Sequence, residues 1–121
     1  MPTTTEIGRT GEQIARSYLE RKAYRILEQN WHWHHYELDI VALYEQELVI
    51  VEVKTRGADF LVDPEESINL GKIRRTVAAA DAYVRMKNIV LPVRFDLVFV
   101  TVRKEGAQVE HIEDAFMAPC R

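Results

Sequence analysis

The apolar pattern of this chain predicts an α/β (α+β) domain in the order α-β-β-β-α-β-β, built on a central mixed sheet flanked by helices. Three observations carry that prediction. Two runs rich in Val, Ile and Leu, Glu37–Tyr44 and Leu48–Thr55, stand either side of the polar stretch Tyr44-Glu45-Gln46-Glu47 and read as a hairpin. Helically spaced apolar residues precede and follow that hairpin. A further apolar run then begins at Pro92.

Thr3-Thr4-Thr5 offers helix N-caps, with Glu6 in the first turn. Ile7, Gly11, Ile14-Ala15 and Tyr18-Leu19 recur at helical spacing to about Lys22, with Glu12 close to that stripe. Tyr24 to about Trp33 reads as a strand despite Gln29-Asn30 in its middle. After the hairpin, Arg56–Glu66 is a loop carrying Gly57, Asp59, Asp63 and Pro64. A second helix spans about Asn69–Lys87, its buried stripe marked by Ile73, Val77, Ala80 and Val84. Pro92 to about Val102 is a strand, Lys104-Glu105-Gly106 turns the chain, and Val109–Ile112 forms a short last strand.

At 121 residues, one domain spanning 1–121 is expected. Hydrophobic residues at 47% and charged residues at 29% are those of an ordinary globular protein. Neither a leader-like start nor an apolar stretch long enough to cross a bilayer is present, so no membrane partner is expected. The single cysteine, Cys120, can form no internal disulfide, and a reducing, cytoplasmic setting is the default. A net charge of −3 argues against a basic protein that coats DNA without specificity. Local basic clusters at Arg21-Lys22-Arg25, Lys54-Arg56, Lys72-Arg74-Arg75 and Arg85-Lys87 leave nucleic acid open, because affinity follows a patch and not the sum.

The chemistry concentrates in the hairpin. With a turn centred on Glu45-Gln46, Asp39 faces Glu52 and Glu37 faces Lys54, while Val41–Ile50 and Leu43–Leu48 pair on the same face. Leu38, Ile40, Val49 and Val51 then take the other face. Directly opposed like charges are destabilising, and a divalent cation between Asp39 and Glu52 would relieve them. Mg²⁺ takes oxygen ligands, often one or two carboxylates plus waters and substrate phosphate oxygens. The Val53 carbonyl could add a third oxygen, and the Lys54 ammonium could orient water or stabilise charge during phosphodiester hydrolysis. The plain alternative is a solvated face with an exposed Glu37–Lys54 pair, worth a few tenths of a kcal/mol.

These residues resemble a known signature. Asp39 followed by Glu52-Val53-Lys54 on the next strand is similar to the active-site motif of the PD-(D/E)XK nuclease superfamily. The whole chain more closely resembles the YraN-like bacterial family, through Gly8–Gly11-Glu12–Ala15, Glu37-Leu38-Asp39-Ile40-Val41-Ala42, Val51–Arg56, Lys72 and Arg94-Phe95-Asp96. The resemblance implies a restriction-endonuclease-like fold similar to Holliday junction resolvases, with Asp39 and Glu52 binding Mg²⁺ or Mn²⁺. It implies Lys54 as the catalytic lysine and Glu12 as an accessory acid, acting on DNA, branched or single-stranded forms included. This chain departs from many relatives at Tyr36, where they carry glycine, which bears on substrate shape. A catalytically silent nucleic-acid-binding or assembly module on the same fold is the alternative, and a homodimer is a further possibility.

Among the basic residues, Lys72 and Arg75 share one side of the second helix and could hold a phosphate, with Arg56 beyond Lys54; Arg74 points elsewhere. Asp96 is expected to pair with Arg94 or cap its strand rather than join the metal. Within Trp31-His32-Trp33-His34-His35, His32 and His34 would share a face if extended, but two ligands make no closed zinc site. The aromatic rings there could stack on unpaired bases or pack at a dimer surface. Ser17, Ser67 and Cys120 have no triad-like companions, so nucleophilic catalysis is not expected.

Overall fold

The computed structural model describes residues 4–57 and 69–116, with side chains from residue 9 onward. Helix α1 (Thr4–Arg21) is followed by strands β1 (Arg25–Trp33), β2 (Tyr36–Tyr44) and β3 (Glu47–Gly57), helix α2 (Leu70–Met86), and strands β4 (Val93–Arg103) and β5 (Gly106–Phe116). The strands form one sheet in the order β1-β2-β3-β4-β5. All neighbours are antiparallel except β3 and β4, which run parallel and are joined through α2. The expected α-β-β-β-α-β-β order and mixed sheet are therefore present, consistent with a restriction-endonuclease-like core. Strand β3 runs through Arg56 and Gly57, which were expected to open the Arg56–Glu66 loop, because both pair with β4. The rest of that loop, the proposed caps Thr3 and Thr5, the Ile7 side chain, Ser67 and Cys120 lie outside the described residues or side chains.

Strand alternation sends two sets of side chains to opposite faces. Ala42, Val49, Val51, Val98 and Val100 meet Ala15 and Leu19 of α1. Val41, Leu48, Ile50 and Phe95 meet Ala79, Ala80 and Tyr83 of α2. Gly11 allows α1 to seat closely, since a Cβ there would lie 1.8 Å from the Thr55 Oγ1. The hairpin register is the expected one at Val41–Ile50 and Leu43–Leu48, around a turn in which Glu45 is left-handed at φ 53°.

Two irregularities were not expected. Leu38 packs on the α2 face although Ile40 packs on the α1 face, so alternation slips between them. The slip falls at Asp39, level with Asn30 of β1, which is left-handed at φ 54°. Asparagine tolerates that conformation, which accounts for Gln29-Asn30 within a strand. The second irregularity lengthens the last strand from the expected Val109–Ile112 to Gly106–Phe116. Its register shifts opposite Asp96, with Asp114 left-handed at φ 51°. Bulges of this kind bend an edge strand while keeping both flanks paired, and they blur the alternation that period counting needs.

Candidate functional site

The paired ladder between β2 and β3 ends at Ile40–Val51. Beyond it, Asp39 does not sit in the expected cross-strand register with Glu52. Instead its Oδ2 accepts the Val53 N–H at 2.9 Å, so a side chain replaces the missing ladder bond. Asp39 and Glu52 nonetheless line one hollow of about 220 Å³, shared with His35, Tyr36, Glu37, Lys72, Arg75 and Thr76. The expected convergence of the two acids is thus reached through the end of the ladder, not through a direct pair.

Helix α2 supplies the basic side of this hollow. Asn69 caps the helix by accepting the Lys72 N–H at 2.8 Å, which orders its first turn. Lys72 Nζ then lies 2.5 Å from Glu52 Oε1, and Lys54 Nζ lies 3.8 Å from the same oxygen. The Glu52 side chain is only 14% exposed, so these pairs are poorly screened. The expected Glu37–Lys54 pair is not formed: Glu37 meets His32 at 3.8 Å, because β2 has slipped its faces before reaching Glu37. With His34 left-handed at φ 55°, His32 and His34 also fail to act as an extended ligand pair.

Electrostatics divide the four charges unevenly. Burial, reinforced by the Glu52 charge, pushes the Asp39 carboxyl up to about 7 against the pull of the Val53 N–H; Glu12 and Glu37 add smaller upward pushes. Burial lowers the Lys54 ammonium, and the neighbouring Lys72 lowers it further. Burial disfavours the Lys72 ammonium, but its hydrogen bonds to Glu52 and Lys54 and the Glu52 and Asp39 charges together outweigh burial and raise it. Lys72 therefore holds its proton most firmly, while Lys54 is the amine whose proton is easier to remove.

The remaining candidates are more scattered. Glu12 accepts from Asn30 Nδ2 at 3.1 Å and lines a separate recess with Arg9, Gln13 and Gln29. Its charge still reaches Asp39. Arg75 lines the hollow as expected. Arg56 turns towards β4, with its guanidinium 5.1 Å from the Phe99 ring centroid and its Nε 3.3 Å from Thr101 Oγ1. Tyr36, which the sequence marked as bearing on substrate shape, and His35 of the Trp31–His35 segment line the hollow, and Thr76 lines it without having been singled out.

Asp96 belongs to a different cluster on the other face. It accepts from Arg94 Nε at 2.8 Å and Nη2 at 2.7 Å, as the sequence suggested, and also from the Asp114 amide at 3.0 Å. His111 Nε2 lies 2.7 Å from Asp96 Oδ2. Burial pushes the Asp96 carboxyl up, but the bonds from His111, Arg94 and the Asp114 amide outweigh it and hold it below the usual range. Arg94 also donates to the Tyr24 hydroxyl at 2.6 Å. Nothing at Asp96 is left over for a ligand.

Comparison with known proteins places the chain. The model of the uncharacterised protein family UPF0102 matches residues 11–100. The chain belongs to that family. A UPF0102 protein of Parabacteroides distasonis is 58% identical over 121 residues, covering all of both chains. One from Bacteroides thetaiotaomicron is 48% identical over 119 residues, with 98% of each chain covered. One from Flavobacterium psychrophilum is 38% identical over 116 residues, covering 96% of this chain and 98% of its own. UPF0102 is the YraN-like, PD-(D/E)XK nuclease-like group that the Asp39 and Glu52-Val53-Lys54 motifs resemble. Among the described residues no helix is long and apolar enough to cross a membrane.

The donor set fits a hard divalent cation. Asp39 and Glu52 supply two carboxylates to one partly enclosed space, and the raised Asp39 pKa reflects a charge that the fold leaves uncompensated. Among the described residues, no three His, Cys, Asp or Glu side chains converge on one point. An ion held here would keep several waters, which is the ordinary habit of Mg²⁺.

Proposed function

We propose that this UPF0102 protein is a Mg²⁺- or Mn²⁺-dependent phosphodiesterase acting on DNA. The observation that carries the reading is the shared hollow of Asp39 and Glu52 with Lys54 and Lys72 gathered on Glu52. Asp39 and Glu52, with the Val53 carbonyl, would hold the cation, which supplies charge neutralisation at the phosphate. Lys72 and Arg75 meet the substrate phosphates, and Arg56 lies further along β3. Lys54, its proton loosened by burial and by Lys72, orients the attacking water and carries a proton at Nζ. Glu12 acts at longer range, by adding negative charge behind Asp39.

The test is incubation of purified protein with branched, nicked and single-stranded DNA in Mg²⁺ and in Mn²⁺. Asp39→Ala and Lys54→Ala are each expected to lower cleavage by at least about 10²-fold, the scale of losing one electrostatic catalytic group. Cleavage that persists equally in both variants comes from a contaminant and removes the assignment.

One observation favours a second reading, in which the fold binds nucleic acid without turnover. Glu52 already has a cation, because Lys72 sits on it. A silent module predicts salt-dependent binding that is weakened by Lys72→Ala and Arg75→Ala and unchanged by Glu52→Gln. Binding lost on Glu52→Gln, or turnover in Mn²⁺, excludes that module.

A further inference from the structure

The hollow has an aromatic side that the proposed chemistry does not use. Tyr36, the first residue of β2, lines it together with His35. The cross-strand partner of Tyr36 is Trp33, the last residue of β1, with ring centroids 5.8 Å apart and planes tilted by 40°. His34 adds a third ring, 4.6 Å from Trp33 and near perpendicular to it. The two tryptophans have separate fates. Trp31 sets its ring edge-on to Tyr83 at 5.2 Å and packs with the α2-side core. Trp33 is half-buried and packs with neither core cluster; it leans instead on Tyr36, which packs against the α2-side core while also lining the hollow.

We propose that Trp33 and Tyr36 form a stacking platform for an unpaired base next to the phosphate held at Lys72 and Arg75. This inference rests on the phosphodiesterase reading and names its substrate class: single strands, or junctions and flaps that present an unpaired base at the hollow. The surroundings of the hollow match the parts of one nucleotide. Lys72 and Arg75 suit the phosphate, Asp39 and Glu52 suit a cation on that phosphate, and the rings suit the base. Stacking on an aromatic face tolerates any base sequence but requires a base with a free face. A base inside a continuous duplex has both faces covered by its neighbours and would first have to leave the stack.

Fluorescence isolates the platform. The chain has two tryptophans, so a Trp31→Phe background leaves Trp33 as the sole tryptophan reporter. That protein is titrated in EDTA, and again in Ca²⁺, with an oligothymidine strand and with a blunt duplex of equal length. The single strand is expected to quench Trp33 emission and to bind about tenfold more tightly than the duplex, the size of one base–aromatic stack. In the otherwise wild-type chain, Trp33→Ala should remove about that factor for the single strand and leave the duplex unchanged, while Trp33→Phe retains most of it. Thermal unfolding of Trp33→Ala, matched to wild type, shows that the change is local.

Equal affinity for strand and duplex, absence of quenching, or an equal loss for both ligands in Trp33→Ala overturns the platform. A cleavage assay in Mg²⁺ and in Mn²⁺ run alongside separates the two ideas. Cleavage of duplex and single strand at equal rates, insensitive to Trp33→Ala, overturns the platform and leaves the phosphodiesterase standing. Trp33-dependent binding of single strands without cleavage in either metal supports the platform and removes the phosphodiesterase.

Discussion

Two acidic centres lie on opposite faces of the same sheet, and the fold treats them in opposite ways. Asp96 is fully buried, yet it is met by a guanidinium, an imidazole and a backbone amide, and its pKa falls. Asp39 is partly buried, has one backbone N–H, faces other acids, and its pKa rises. The His111 ring completes the first set through Nε2, 2.7 Å from Asp96 Oδ2, while its buried Nδ1 has no hydrogen-bond partner among the described residues. A saturated acid is architecture, here pinning the shifted register of β5. An unsaturated acid keeps binding capacity in reserve. The difference teaches that burial alone does not decide how a carboxylate titrates; the partners it is given do.

The largest expected effect would break that comparison directly. Asp96→Ala leaves the Arg94 guanidinium, 13% exposed at its side chain, with only the longer Glu47 and Glu113 pairs at 3.4 and 3.9 Å, and should cost about 3 kcal/mol in chemical denaturation. Asp39→Ala should cost far less, since it removes a charge the fold disfavours. Equal losses in the two variants would show that Asp39 is as structural as Asp96.

Next in size is the seat of α1, which covers the Asp96 face and carries Glu12. Gly11→Ala sets a methyl against the Thr55 side chain and should cost about 1–3 kcal/mol through overpacking. Thr55→Ala in the same chain should restore much of that loss. A Gly11→Ala protein with unchanged stability would mean that α1 shifts freely, and Glu12 with it.

The pH dependence of stability separates the centres by sign. Asp39 ionises near 4 in the unfolded chain and at about 7 in the folded one, so without metal its contribution to stability falls as pH rises between those values. Asn at this position cannot ionise, and Asp39→Asn should raise stability at pH 8 relative to pH 5 by about 1–3 kcal/mol compared with wild type. Asp96 behaves in reverse. Its depressed pKa gives stability that is present above about 4 and lost as pH falls below. Thermal melts of wild type, Asp39→Asn and Asp96→Asn across pH 3–8 would show the two slopes; the same slope in both variants would erase the distinction.

The sequence made one of these centres legible and hid most of the other. Asp39, Glu52 and Lys54 lie on strands whose apolar alternation is regular enough to set the hairpin register at Val41–Ile50. Arg94 and Asp96 are two residues apart, so their pairing was also within reach. His111 and Tyr24 were not, because β5 breaks its alternation at the bulge and Tyr24 reaches Arg94 across 70 positions of chain. The same limit applies at the hollow. Period counting cannot register the left-handed Asn30, so it placed Leu38 on the wrong face and paired Glu37 with Lys54. Nor could it show that the first turn of α2 would set Lys72 onto Glu52, since that contact depends on where a crossing helix lands.

The smallest effect sharpens where the unsaturated centre ends. Glu12 is tied to Asn30, the left-handed residue level with Asp39, and reaches the hollow through its field rather than by lining it. Removing that charge with Glu12→Gln should lower the Asp39 pKa slightly, as read from the side-chain carboxyl resonance in a pH titration. Cleavage should fall by less than about tenfold, at or below the lower end for losing a group behind a metal ligand. Asn30→Ala supplies the opposing arm: it releases the Glu12 carboxylate while keeping the charge, so the Asp39 titration should persist with only a small shift. A Glu12→Gln defect as deep as that of Asp39→Ala would instead make Glu12 a direct ligand, and the boundary between the hollow and the Asn30 recess would have to be redrawn to include α1.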